Sequence, residues 1–155
     1  KKINFYFPIF FLLLIFLQII FGAFVSGMDA GLIYNTWPLM GSTFFPDDNP
    51  ILNFFKFSVF NEPSLVQFIH RNLAYLIFFL YLIMCINIYI NKLINFAKTV
   101  YFLGLLLVIQ IILGIFTLLS GAQILLASMH QISSIFLVLS TIYLVFLNSK
   151  TNQQL

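Results

Sequence analysis

The stretch Val66-Gln67-Phe68-Ile69-His70-Arg71-Asn72-Leu73-Ala74-Tyr75-Leu76-Ile77 opens an apolar run that reaches Ile90 with no charged residue after Arg71. Coiled into a helix that rises 1.5 Å per residue, the run is longer than the roughly 30 Å of hydrocarbon in a bilayer. Three other stretches are also long enough, from about Phe5 to Val25, Val100 to Leu119 and Ile124 to Leu147. The expected fold class is all-α: an integral membrane bundle of four transmembrane helices, forming one membrane domain over residues 1–155. Composition excludes a soluble domain. Of all residues 62% are hydrophobic and 7% charged, against about 25% charged in soluble proteins. So few polar side chains cannot cover a water-facing surface.

Orientation follows from the connections. Lys1, Lys2, Lys92, Lys98 and Lys150 fall on one side of a four-span chain. The long connection, 26–64, carries Asp29, Asp47, Asp48 and Glu62 against Lys56, and the short one from Ser120 to Gln123 is uncharged. Positive-inside bias then puts both termini in the cytoplasm, or the matrix of a mitochondrion, and the long loop outside. The first apolar run exceeds the roughly 7–15 residues of a signal-peptide core and reads as a retained span. A chain that starts at Lys1 reads as processed or as a piece of something longer. The net charge of +3 comes from lysines near helix ends and implies nothing about nucleic acid. Cys85 is the single cysteine, so no disulfide forms within the chain and cysteine usage gives no compartment.

The long loop holds Trp37, Phe44, Phe45, Phe54, Phe55, Phe57 and Phe60, with Pro38, Pro46, Pro50 and Pro63. Aromatic residues at this density prefer the lipid headgroup region. Two readings stand: interfacial anchoring alone, or a lid that shields a site in the bundle. Ile51 to Phe60 fits a short helix lying in the interface.

The chain also repeats itself. Gln18-Ile19-Ile20-Phe21-Gly22-Ala23-Phe24 matches Gln110-Ile111-Ile112-Leu113-Gly114-Ile115-Phe116 at five of seven positions. Both segments sit in spans running outward, and each following span has a histidine near its start. The expected architecture is two parallel helix-hairpin repeats about a pseudo-two-fold axis along the membrane normal. Gly22 and Gly114 either let helices pack closely or offer a face to a flat ligand.

His70 and His130 carry the functional expectation. Ionisable residues inside membrane spans are costly, face the bundle interior and mark functional sites. Each lies one to two turns from the outer end of its helix, so the pair shares one layer. If the second and fourth helices are diagonal, they stand roughly 12–14 Å apart. That gap suits two imidazoles with a metal between them, each bond close to the ~2 Å of histidine ligation. A haem iron with a histidine on each face meets this geometry and gives electron transfer. A lone zinc or copper ion wants three or four protein ligands, which this sequence does not offer. Hydrogen bonding of each histidine to a neighbouring helix is the plain structural alternative. Arg71 either pairs with a haem propionate or snorkels to the interface. No span contains a carboxylate, so acid–base chemistry within the bundle has no obvious actor.

Several of these motifs resemble one family. Gly22-Ala23-Phe24-Val25-Ser26-Gly27-Met28-Asp29-Ala30-Gly31 and Tyr34-Asn35-Thr36-Trp37-Pro38-Leu39-Met40-Gly41 look like the first-loop signature of the haem A synthases. Val66-Gln67-Phe68-Ile69-His70-Arg71 and Met129-His130-Gln131 look like their two histidine motifs. The resemblance covers nearly all of the chain. It implies an eight-span protein of two homologous four-helix halves, of which this chain is similar to the C-terminal one. It also implies oxidation of a methyl group of haem O to the formyl group of haem A, for terminal oxidase assembly. In that family the C-terminal half holds a haem b between two histidines, corresponding here to His70 and His130. The substrate half has a glutamate three residues before its first histidine. This chain has Gln67 and Ala127 at those places, which fits the cofactor half. The cysteine pairs of some members are absent.

The partners implied are membrane lipid, an N-terminal four-helix half or equivalent subunit, haem O synthase and an electron donor. The implied location is a cell's inner (plasma) membrane or a mitochondrial inner membrane. Two other functions remain open on the residues: a free-standing b-type cytochrome or electron-transfer subunit, and a purely structural membrane subunit.

Overall fold

The structure, a computed structural model, describes residues 3–4 and 6–153, with side chains described up to Lys150. Lys1, Lys2 and Phe5, which entered the orientation and the first span, lie outside the described residues. Among the described residues four α-helices form: α1 Tyr6–Gly27, α2 Pro63–Ile90, α3 Ile94–Leu119 and α4 Ile124–Gln153. All four are long and apolar enough to cross a membrane. The protein is an integral membrane protein of all-helical fold.

The helices extend past the apolar runs that announced them. α2 begins at Pro63 rather than Val66, because proline suits the first helical position, where its missing N–H would have no intrahelical partner. α3 begins at Ile94 instead of about residue 100 and includes Lys98. α4 continues past Leu147 to Gln153. Polar residues end a hydrophobic span, but they do not end a helix.

Two tight turns close the hairpins. After α2, Lys92 takes a left-handed conformation (φ 53°), with Leu93 N–H on the Ile88 carbonyl and Lys92 N–H on that of Tyr89. After α3, Gly121 does the same (φ 68°), with Ala122 N–H on Thr117 and Gly121 N–H on Leu118. Both are Schellman caps, which satisfy the last carbonyls of a helix and reverse the chain.

Helix α1 packs on α2 and α4, and α3 packs on α4 and α2. The order around the bundle is therefore α1, α2, α3, α4, with α2 and α4 on one diagonal. The packed core fills the end that holds the α2–α3 turn. Phe11, Leu14, Ile15, Leu73, Ile77, Met84, Leu103, Leu107, Leu137 and Leu144 are buried there. At the other end, among the described residues, no apolar side chain of α1 beyond Ile15, of α3 beyond Leu107, or of α4 before Leu137 is fully buried. His70 and His130 lie toward that end.

The long connection folds over the same end. Ala30–Leu32, Ile51–Phe55 and Phe57–Asn61 are short 3-10 turns, and Met40 pairs with Thr43 in a single antiparallel bridge. The helix expected over Ile51–Phe60 is two 3-10 turns separated by extended Lys56 (φ −97°, ψ 152°). Phe55 and Phe57 are 80% and 91% exposed, as suits side chains facing the headgroup region. Phe45, Phe54 and Phe68 instead meet edge-to-face, at 5.0–6.5 Å between centroids. The loop thus presents aromatic side chains outward and also seals itself onto α2.

Candidate functional site

His70 stands seven residues into α2 and His130 six residues into α4, each about 10 Å along its helix from the loop end. Each ring lies against a glycine of the neighbouring helix. A Cβ on Gly22 would sit 3.2 Å from His70 Cε1, and one on Gly114 would sit 3.2 Å from His130 Cε1. Any other residue at either place would push on the imidazole.

A second contact recurs in both hairpins. Gln18 Nε2 donates to the His70 carbonyl at 3.1 Å, and Gln110 Nε2 donates to the His130 carbonyl at 3.1 Å. Gln18 stands nine residues before the end of α1, and Gln110 nine before the end of α3. The surroundings then differ. Gln18 Nε2 also lies 3.3 Å from His70 Nε2. Gln110 Nε2 instead donates to Ser133 Oγ at 2.6 Å, and Ser133 in turn bonds the His130 carbonyl. Nδ1 of both histidines is buried without a hydrogen-bond partner, which is unusual for a polar atom removed from water.

Arg71 points to the loop. Its Nη1 donates to the carbonyls of Thr36 (2.9 Å) and Leu39 (3.3 Å), and its Nη2 to that of Tyr34 (2.9 Å). Gln67, only 2% exposed, sends its Nε2 to the same Tyr34 carbonyl at 3.1 Å. Its Oε1 is buried and unpartnered. Gln67, Arg71 and Tyr75 follow one another at i+4 and so share a face of α2; segment 34–39 lies along it. Asn35 ties that segment to the end of α3 through the Leu118 carbonyl at 2.9 Å. The Tyr34 hydroxyl donates to Asp47. Partial burial first, and then that bond to a carboxylate, push its pKa up to about 12.

Sequence reasoning singled out His70, His130 and Arg71, and saw both glutamines as repeat markers. It took Gln67 only as a departure from a glutamate and assigned nothing to Tyr75 or Ser133. The i+4 spacing of Gln67, Arg71 and Tyr75 was the available signal; their partners, more than thirty positions away, were not.

The match to known proteins is extensive. The model of the COX15-CtaA family of cytochrome oxidase assembly proteins matches residues 2–142. The chain belongs to this family. Within it, the chain is 48% identical over 145 residues to the heme A synthase of Pelagibacter ubique, covering 94% of this chain and 42% of that protein. It is 45% identical over 141 residues to the heme A synthase of Wolbachia pipientis, covering 90% and 39%. For the heme A synthase of Rickettsia felis the identity is 40% over 133 residues, covering 86% and 39%. The chain spans about two fifths of the length of the curated relatives it matches. No solved structure matches it. Among the described residues, no three His, Cys, Asp or Glu side chains gather as metal ligands. The two histidines of the loop-end layer are its candidate ligands.

Proposed function

We propose that this chain is the haem b-binding four-helix half of a haem A synthase, and that His70 and His130 would hold the haem iron. One observation carries the reading: the histidines lie at one depth on diagonal helices, each ring against a glycine and each with a buried ring nitrogen left uncommitted. Two imidazoles without a third protein ligand are too few for a structural zinc and are the set a low-spin haem iron takes. The fully buried apolar core of α1, α3 and α4 stops short of the histidine layer. Bound there, a haem supplies one-electron transfer in the oxidation of haem O to haem A.

The chain's own residues have separate tasks in this reading. His70 and His130 hold the iron, and the glycines keep side chains off the imidazoles. Arg71, Gln67 and Tyr75 fasten the loop over the layer, which excludes water from it. Arg71 Nε is buried and unpartnered, so the guanidinium that grips the loop retains one donor for a propionate. Neither Gln67 nor Ala127 can serve as the glutamate expected beside a substrate haem, so substrate oxidation belongs to the remainder of an eight-span protein, on the cytoplasmic or mitochondrial inner membrane.

The test is spectroscopic. Purified chain is expected to give a low-spin bis-imidazole haem spectrum, lost in His70→Ala and in His130→Ala. An unchanged spectrum in both variants sinks the ligand assignment. Haem extracted from cells that accumulate haem O, with and without the full-length protein, tests the activity separately; a b-type cytochrome alone would yield no formyl product.

A further inference from the structure

We propose that Gln18 and Gln110 are positioning residues that fix the height and rotation of the two histidines by gripping each histidine's own backbone carbonyl. The proposal rests on the bis-imidazole reading above. A helical carbonyl has a second lone pair beyond its intrahelical bond, and in both hairpins a glutamine of the preceding helix takes it at 3.1 Å. A primary amide in a membrane-spanning helix is costly unless satisfied, and interhelical hydrogen bonds satisfy it. These two donors are spent at the backbone of the very residues whose placement matters.

The geometry explains why a grip at that point is useful. Among the described residues, α1, α3 and α4 have no fully buried apolar side chain at the loop end, so core packing sets their register less tightly there than at the turn end. A slip of one turn between α1 and α2 would move His70 by about 5.4 Å, far outside the ~2 Å of a metal–histidine bond. Gln18 and Gln110 provide the missing register mark, four residues from the glycines on which the rings rest. The carbonyl bond fixes the height and the glycine fixes the ring. Ser133 reinforces the grip in the second hairpin, where Gln110 and Ser133 both bond the His130 carbonyl.

The chain has only two histidines, so histidine labelled with 13C at the carbonyl marks both gripped bonds and nothing else. In lipid nanodiscs, infrared spectra of labelled Gln18→Met and Gln110→Met are expected to move one labelled band each to higher frequency, with the helical envelope unchanged. In haem-loaded protein the same variants are expected to shift the ferric EPR g values and the midpoint potential. Gln→Glu, protonated in the bundle and still a donor, is expected to restore both. Should a Met variant fail to fold, Gln→Asn, one methylene too short, replaces it. Labelled bands unmoved in both variants overturn the proposal, as do moved bands with wild-type g values and potential. If wild-type chain gives no bis-imidazole signal, the haem reading fails, and the labelled bands alone decide the grip: moved bands uphold it and unmoved bands overturn it.

Discussion

Trp37 Nε1 donates to the Tyr75 hydroxyl at 3.0 Å, joining positions 38 residues apart. With the Arg71 and Gln67 bonds to Tyr34, Thr36 and Leu39, it lays the loop signature along one face of α2 immediately beside His70. The loop therefore exposes aromatic side chains such as Phe55 and Phe57 and is also fastened to α2. Exposed backbone at membrane depth is costly, and this segment escapes the cost because charged and amide side chains of α2 receive its carbonyls.

Arg71→Lys tests that fastening. Lysine keeps the charge but has no planar fork to span three carbonyls. We expect a loss of about 2 kcal/mol, a lower thermal midpoint and faster proteolysis within residues 28–62. Wild-type cleavage rates in the variant would remove Arg71 from the fastening.

Substitutions at Gly22 and Gly114 should be graded by size. A Cβ 3.2 Å from the imidazole forces a shift of a few tenths of an ångström for alanine and a much larger one for leucine. Overpacking of this kind costs about 1–3 kcal/mol. Haem loading is expected to fall from Gly through Ala to Leu at both positions, read by absorbance per protein. Full loading of Gly114→Leu would contradict the close seat.

Away from the site, Gly104 admits Tyr81. A Cβ there would fall 1.9 Å from the Tyr81 hydroxyl oxygen and 2.4 Å from Cζ, so Gly104→Ala must displace the ring. The expected cost is about 1–3 kcal/mol. Tyr81→Phe is expected to rescue little, because Cζ still clashes, and Tyr81→Ala more. Additive thermal shifts in the double variants would show that the two do not meet.

Tyr34 provides a pH signature. Its phenol is raised to about 12, by partial burial and then by Asp47, against about 10 in an unfolded chain. The neutral phenol is the form the fold favours, so its contribution is complete below pH 10 and disappears as pH rises toward 12. Absorbance titration near 295 nm should show Tyr34 titrating late, and Asp47→Asn bringing it earlier. A Tyr34 that titrates at the ordinary value in wild type would break the link.

Much of the fold was legible because membrane spans are a local property. The length of an apolar run needs no knowledge of distant contacts. His70 and His130 were legible for the same reason, since an imidazole in such a run is conspicuous by itself. Helix ends were read short at Val66, Val100 and Leu147, because hydropathy marks where lipid contact stops and backbone hydrogen bonding continues past it.

Sequence by itself determined four apolar helices and the two histidines, each fixed by neighbours within a few turns. Only the tertiary structure decided that α2 and α4 are diagonal, that glycines and glutamines of α1 and α3 hold the histidines, and that Arg71 grips the loop. Those are interactions between groups sixteen to more than fifty positions apart, and their partners are chosen by helix packing. Local hydrophobicity carries no record of that choice.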